Sequence, residues 1–162
     1  MRTAILLLLT GLIGLAQPQT TLTPQGFTPV TFDRPEVAAE RLIEASKSWS
    51  DAYNKISYDV YNVTPDGLSI DALRENAFFY RNRGEVFKYS ILYALQVKFG
   101  EQECQVQFVV KEIYADKTRI ASGITDYFAP DGTMKEGFEQ VKPSIEDTAN
   151  KIIQSYVRAV SR

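Results

Sequence analysis

Residues 89–113, YSILYALQVKFGEQECQVQFVVKEI, decide the fold of this chain. Tyr89, Ile91, Tyr93, Leu95, Val97 and Phe99 fall on one face of a strand, because strand side chains repeat every second residue. Gly100-Glu101 suits a two-residue type II′ turn, which takes glycine first. That turn places Val97 opposite Cys104, Leu95 opposite Val106, Tyr93 opposite Phe108 and Ile91 opposite Val110. Both apolar sets then land on the same side of the sheet. A one-residue slip would pair core with solvent along the whole ladder, so the pattern specifies a long antiparallel hairpin with one buried face.

Working outward toward the N-terminus, Gly84 marks the break before the hairpin, and Ala77 to Tyr80 read as a short aromatic strand. Leu68, Ile70 and Ala72 alternate with polar residues in a further strand. Ser57 to Val63 form another, closed by the turn signal Thr64-Pro65-Asp66-Gly67. Before it, Ala38, Leu42, Ala45, Trp49 and Ala52 recur at steps of four and three, predicting a helix from about Pro35 to Asn54. Asp33 and Glu36 form a capping-box-like pair, with Pro35 in the first turn, where its missing N–H is harmless. Phe27 to Phe32 suggest a short strand, confined to an edge by Pro29. Beyond Tyr114, residues 116–127 leave room for another short strand. Pro130-Asp131-Gly132 is a turn, and a closing helix is expected from about Pro143 with the stripe Ile145, Ala149, Ile152, Tyr156 and Val160. The expected class is α+β, an antiparallel sheet of about five strands with two helices packed on one face in the order β-α-β4-α.

The first 16 residues carry a different message. Met1-Arg2-Thr3 is followed by the apolar run Ala4 to Leu15 and then Ala16, the pattern of a secretory signal peptide. Gly14 and Ala16 fit the −3 and −1 positions of a cut that leaves Gln17 as the mature N-terminus. The run falls short of the ~20 apolar residues that span a membrane. The expected organisation is a signal peptide over 1–16, a flexible polar lead-in over 17–26 and a single α+β domain over 27–162. Export to the periplasm or cell envelope, or outside the cell, follows as an expectation.

Composition narrows the chemistry. An apolar content of 44% with 23% charged residues is that of a globular protein able to bury a core. Removing Arg2 with the signal leaves 17 basic against 20 acidic residues, a balance of −3 that offers no general attraction for nucleic acid. The chain has no histidine, which excludes Ser-His-Asp and Cys-His catalysis and His-containing zinc sites. Its single cysteine, Cys104, cannot form an intramolecular disulfide and reads as a small buried hydrophobe.

No motif assigns a catalytic, cofactor-binding or metal-binding residue. The carboxylate pairs Asp71/Glu75 and Glu101/Glu103 sit at alternating polar positions or at a turn, where acids are solvated. Arg81-Asn82-Arg83 beside Phe78, Phe79 and Tyr80 reads as a strand that buries alternate aromatics and ends in a charged turn, rather than as a surface for single-stranded nucleic acid. Asn62-Val63-Thr64 matches a glycosylation acceptor but runs straight into Pro65. Residues 126–131 hold too few oxygen ligands for a calcium loop.

The helix from Asp33 to Asn54, YDVYNVTPDGLSIDALRENAFFY at 58–80, the hairpin at 89–113 and the closing helix together resemble an exported bacterial domain of unknown function that has a TATA-binding-protein-like fold. The family's usual Lys-Tyr-Arg after the hairpin turn is replaced here by Glu103-Cys104-Gln105. The resemblance implies fold and export only; likeness to a DNA-binding fold does not carry DNA binding with it. The functional expectation is a non-catalytic binding or accessory module, with no cofactor and with a protein or small apolar ligand as partner. The alternative is a helix-grip carrier, in which the last helix closes a curved sheet over a lipid-sized cavity.

Overall fold

The computed structural model describes residues 19–162. The expected signal peptide, its cut and the Gln17 terminus lie outside the described residues. In chain order the elements are β1 (Leu22–Thr23), β2 (Gly26–Phe27), β3 (Val30–Asp33), α1 (Ala39–Tyr53), β4 (Tyr58–Thr64), β5 (Gly67–Asn82), β6 (Glu85–Phe99), β7 (Glu103–Ala115), β8 (Thr118–Ile120), a short 3-10 turn (Ile124–Tyr127) and α2 (Val141–Val160). The class is α+β, as the alternating strands and the two striped segments require. The main sheet has six strands rather than about five, ordered β3-β7-β6-β5-β4, with β8 also pairing with β7. All its ladders are antiparallel.

The central hairpin forms on the expected face with a different register. Phe99 opposes Cys104, Val97 opposes Val106, Leu95 opposes Phe108 and Tyr93 opposes Val110. The turn therefore lies at Glu101-Gln102, two residues of ladder away from the type II′ arrangement, and neither of these residues has a positive φ. Gly100 is needed for another reason: a Cβ there would stand 2.6 Å from the Glu103 carbonyl oxygen. A slip of two residues preserves side-chain parity, so the apolar face survives the change. Beyond Leu92 and Tyr93 the ladder shifts again, leaving Lys111 as an extra residue and pairing Ile91 with Ile113 rather than Val110.

The two strands expected at 68–72 and 77–80 are one strand, β5, interrupted by a bulge between Arg74 and Phe78 opposite β6. The 116–127 stretch supplies β8 and the 3-10 turn. The tight β7–β8 connection uses Asp116 and Lys117, both with positive φ.

The lead-in is corrected outright over its described part. From Thr20 onward it forms a small β1–β2 hairpin clasped to α2 instead of trailing free. The Thr20 N–H donates to Asn150 Oδ1 at 2.8 Å and the Leu22 N–H to Glu146 Oε1 at 2.7 Å, and Leu22 is fully buried. Leu22 and Phe27 supply the apolar anchor, and the Phe27 ring meets Phe108 edge-on at 5.0 Å.

Helix α1 begins at Ala39, later than Pro35, because Asp33 and Arg34 are held in the edge of the sheet. The Arg34 N–H donates to the Gln102 carbonyl and its guanidinium to that of Gly100, both at 2.8 Å. The expected capping box is therefore not used; Ala38 occupies the N-cap without a side-chain bond. The buried stripe is Leu42, Ser46, Trp49 and Ser50, while Ala38 and Ala52 face solvent. Ser46 faces inward because it ties the helices together: its hydroxyl donates to the Leu42 carbonyl and meets the Tyr156 hydroxyl at 2.9 Å. The Trp49 indole N–H donates to Ser155 Oγ at 3.1 Å.

Helix α2 starts two residues before Pro143, which stays in the first turn. All five expected stripe residues are buried, joined by Val141 and Ile153. Both helices cover the face carrying Leu68, Ile70, Ile91, Tyr93, Leu95, Val106 and Phe108, one continuous core. The opposite face carries Tyr61, Ser69, Asp71, Gln96, Lys98, Gln105 and Lys111, and no helix among the described residues covers it.

Cys104 belongs to the covered face, opposite Phe99 and Phe32 rather than Val97, and burial pushes its thiol up despite the nearby Arg34. Cys104→Ala is expected to cost on the order of 1 kcal/mol in a denaturant titration, as a small core deletion does. The native protein should react with a thiol reagent only as fast as it opens.

Candidate functional site

The residues weighed for chemistry at the sequence level do not converge. Asp71 is engaged on the open face, where its Oδ1 accepts from the Tyr61 hydroxyl at 2.9 Å and its Oδ2 from Lys111 Nζ at 2.5 Å. Lys111 also lies 5.7 Å from the centre of the Tyr61 ring. Glu75 is exposed in the β5 bulge, and Glu101 and Glu103 are exposed at the hairpin end. Asp126 accepts from the Gly123 N–H, and Asp131 accepts from the N–H and hydroxyl of Thr133, which holds its carboxyl below the usual range. Among the described residues no group of three or more Asp, Glu or Cys side chains is placed to hold a metal. Asn62 stands exposed at a β4 irregularity with φ 52°.

The aromatics of 78–89 do what alternation predicts. Phe78 stacks on Tyr89 at 5.1 Å and Tyr80 on Phe87 at 5.1 Å, while Tyr127 and Phe138 close over them. Burial raises the Tyr127 phenol to about 12, assisted by Tyr80 and Asp126. These are packed rings ending in the charged turn Arg81-Asn82-Arg83.

Sequence reasoning missed a polar centre at the C-terminal end of α1. The helix stops at Tyr53, and Asn54 folds under the sheet as its C-cap, its N–H donating to the Ser50 carbonyl. The Tyr93 hydroxyl, inside the core, donates to Asn54 Oδ1 at 2.8 Å. Burial drives the Tyr93 phenol well above its ordinary range; Tyr53 adds to this and the Arg74 guanidinium opposes it. Asn54 Nδ2, and Ser50 Oγ one helical turn earlier, are buried without a hydrogen-bond partner among the described residues. Most buried polar groups in native proteins are paired, so two orphans within one turn mark a site. Asn54 lines a cleft of about 520 Å³ together with Tyr53, Lys55, Leu73, Arg74 and Asn76. The β5 bulge forms its far wall, where Asn76 adopts φ 49°. Bulges and left-handed non-glycine residues cluster where a strand is re-aimed for a purpose. The signal available in the sequence was the tyrosine inside an apolar stripe, whose hydroxyl must find a partner when buried.

Comparison with solved structures gives fold relatives. A DUF4468 family protein, a domain of unknown function, from Bacteroides ovatus superposes with a TM-score of 0.64 at 11% identity, covering 83% of this chain and 85% of that one. A TBP-like protein from Parabacteroides distasonis matches with a TM-score of 0.44 at 11% identity, covering 81% and 83%. No family model and no curated protein matches the sequence. At this identity the likeness to the DUF4468 family protein is one of fold, and it agrees with the α+β class read from the sequence.

Proposed function

We propose that this chain is an exported, non-catalytic binding or accessory module of the cell envelope, and that it binds through the cleft at the end of α1. The observation that carries the binding reading is the buried, orphaned amide of Asn54 at a cleft that Lys55, Arg74 and Glu75 also line. Such an arrangement suits a polar acceptor group on a ligand, more than the apolar ligand expected from the aromatic content. Catalysis draws no support from the same residues. The tyrosines of the core, Tyr93 and Tyr156, are pushed up by burial and stay protonated at physiological pH, so neither serves as a base.

Export is supported by the basic start, apolar run and small-residue boundary of residues 1–16. Among the described residues no helix is long and apolar enough to cross a membrane. The carrier alternative is less well supported, because the stripe of α2 is packed directly on the sheet and the Asn54 cleft lies at the end of the other helix.

Two measurements test the reading. Intact-mass analysis of protein from the native envelope should give a chain beginning at Gln17, and a chain retaining Met1 to Ala16 would remove the export claim. Thermal melts should rise with a polar small-molecule extract of the envelope and not with its lipids, and Arg74→Ala should abolish the rise. A melt raised only by lipid would move the assignment to the carrier. Asn54→Leu should lower stability by about 1–3 kcal/mol in urea, since the Tyr93 hydroxyl loses its acceptor inside the core.

A further inference from the structure

Strands β5 and β6 run on past their neighbours. β4 leaves β5 at Ala72, and β7 leaves β6 at Ser90, whose partner is Tyr114. From Phe78↔Tyr89 to Asn82↔Glu85 the two strands continue alone as a ribbon of five residue pairs, about 14 Å long at ~3.4 Å per residue. The ribbon is closed by Arg83 and Gly84, both with positive φ, a two-residue turn of the hairpin-favouring kind.

Each side of a ribbon presents outward-pointing backbone groups at every second residue. On the β5 side those of Phe79 are satisfied by α2, and only Arg81, nearer the tip, has no partner among the described residues. The Phe79 N–H donates to Ser144 Oγ at 3.2 Å, and the Ala77 carbonyl accepts from the Thr148 hydroxyl at 2.6 Å. Phe79 opposes Lys88 in the ladder, so Lys88 aims its own N–H and C=O the other way, toward the space β7 has left. The alternation that pairs Ser90 with Tyr114 gives the same direction for Lys88 and Val86. Asp116 and Lys117, with φ 45° and 70°, turn the chain back into β8 where β7 would otherwise have covered Lys88. No backbone or side-chain bond among the described residues reaches the N–H or C=O of Val86 or Lys88. A cleft of about 470 Å³ runs along this edge, lined by Val86, Phe87, Lys88 and Tyr89 on one side and by Asp116 and Lys117 on the other. It meets the Asn54 cleft at Glu75 and Asn76.

We propose that the β6 edge from Val86 to Lys88 receives an extended peptide segment of another protein, with alternating acidic and apolar side chains, as an added strand of the sheet. The free backbone groups supply the ladder, the mode by which exposed edges recruit strands. The side-chain pattern follows from the two faces of the ribbon. One carries Lys88 with its cross-strand diagonal neighbour Arg81 and the exposed Val86, and Arg83 lies at the tip, so the exposed run 81–88 holds three basic residues against Glu85 in a chain of net negative charge. The other carries Phe87 and Tyr89, stacked on Tyr80 and Phe78, and Phe87 is 37% exposed. A strand beside them places alternate residues next to Lys88 and next to Phe87, acidic on the first face and apolar on the second.

Lys88→Pro tests the ladder selectively. The Lys88 N–H points away from β5, so proline removes an outward donor while leaving the ribbon's own bonds in place, and edge strands tolerate proline. The probe is a blocked, fluorescein-labelled peptide of alternating Glu and Val, with a Lys-Val peptide as control, followed by fluorescence anisotropy at low salt. Saturable binding of the Glu-Val peptide, none of the Lys-Val peptide, and a tenfold or greater loss in both Lys88→Pro and Lys88→Glu with unchanged circular dichroism is the expected result. If Lys88→Pro fails to fold, the loss in Lys88→Glu together with peptide-dependent protection of the Val86 and Lys88 amides from hydrogen exchange carries the test. No binding, equal binding of both peptides, or equal binding by wild type and variants overturns the proposal. A peptide-free dimer abolished by Lys88→Pro also overturns it, by making a second copy the occupant. None of these outcomes alters the melts that test the Asn54 cleft.

Discussion

Ile152→Ala lowers stability by about 2–5 kcal/mol, the range for a large-to-small deletion in a packed core. Ile152 has no exposed surface and sits at the middle of a stripe whose other members are all buried. The helix that carries it crosses β5 and is tied there by Thr148 and Ser144, so it cannot slide to refill the gap. The loss is a large part of the 5–15 kcal/mol that holds a typical domain together. Thermal melts should show a midpoint lower by on the order of 10 °C, given a few degrees per kcal/mol at this size. If instead α2 bordered a ligand cavity, the ligand-free melt would be unchanged, which would refute the docking.

Gly67→Ala is the second large effect and arises from backbone rather than core. Gly67 pairs with Lys98 where β5 enters the sheet, and a Cβ at this position would stand 2.1 Å from the Val97 carbonyl oxygen. No side chain can rotate aside to relieve that contact, since the obstacle is the neighbouring strand. The β4–β5 turn must open, disturbing the bond from the Phe99 N–H to the Asp66 carbonyl at 2.8 Å. A loss of about 3 kcal/mol, at the upper end for overpacking, is expected in urea titration. Gly84→Ala, with open space around the added methyl, makes the control: it should cost only the strain of its φ of 85°. Equal losses in the two variants would show that conformational freedom, and not the close approach of β6, requires glycine at 67.

The pattern of apolar residues settled which face of each strand is buried, and it did so robustly because parity survives a two-residue error. That is why the hairpin residues Ile91 to Phe99 lie inward although every pair in the expected register was displaced. Period says nothing about where a ladder gains an extra residue. The bulge at Arg74–Phe78 lies in β5 and that at Lys111 in β7, each set by its pairing with β6, and Asn76 accepts a positive φ without a glycine to announce it. Long-range satisfaction was equally hidden. The polar segment around Thr20 and Leu22 looked unable to order itself, and by itself it is; its partners Asn150 and Glu146 lie more than a hundred residues away. The inward Ser46 of α1 follows the same rule, since it faces Tyr156 of α2. Asn54 was visible only as the last residue of the expected helix, and the β6 edge is free because Asp116 and Lys117 turn a strand with no glycine or proline between them.

The clasp that joins β1 to α2 gives the molecule a mechanical grain. Tension applied to the chain at Gln19 does not run down a slack leash; it is delivered through the Thr20 and Leu22 amides to the middle of the longest helix. These bonds and the enclosed Leu22 side chain must yield together before the segment peels away. The β1–β2 hairpin therefore holds a fixed heading on the domain, with α2 as the stiff arm and the open sheet face on the far side, and a pull at Thr20 is carried by the whole body rather than by a loose tail.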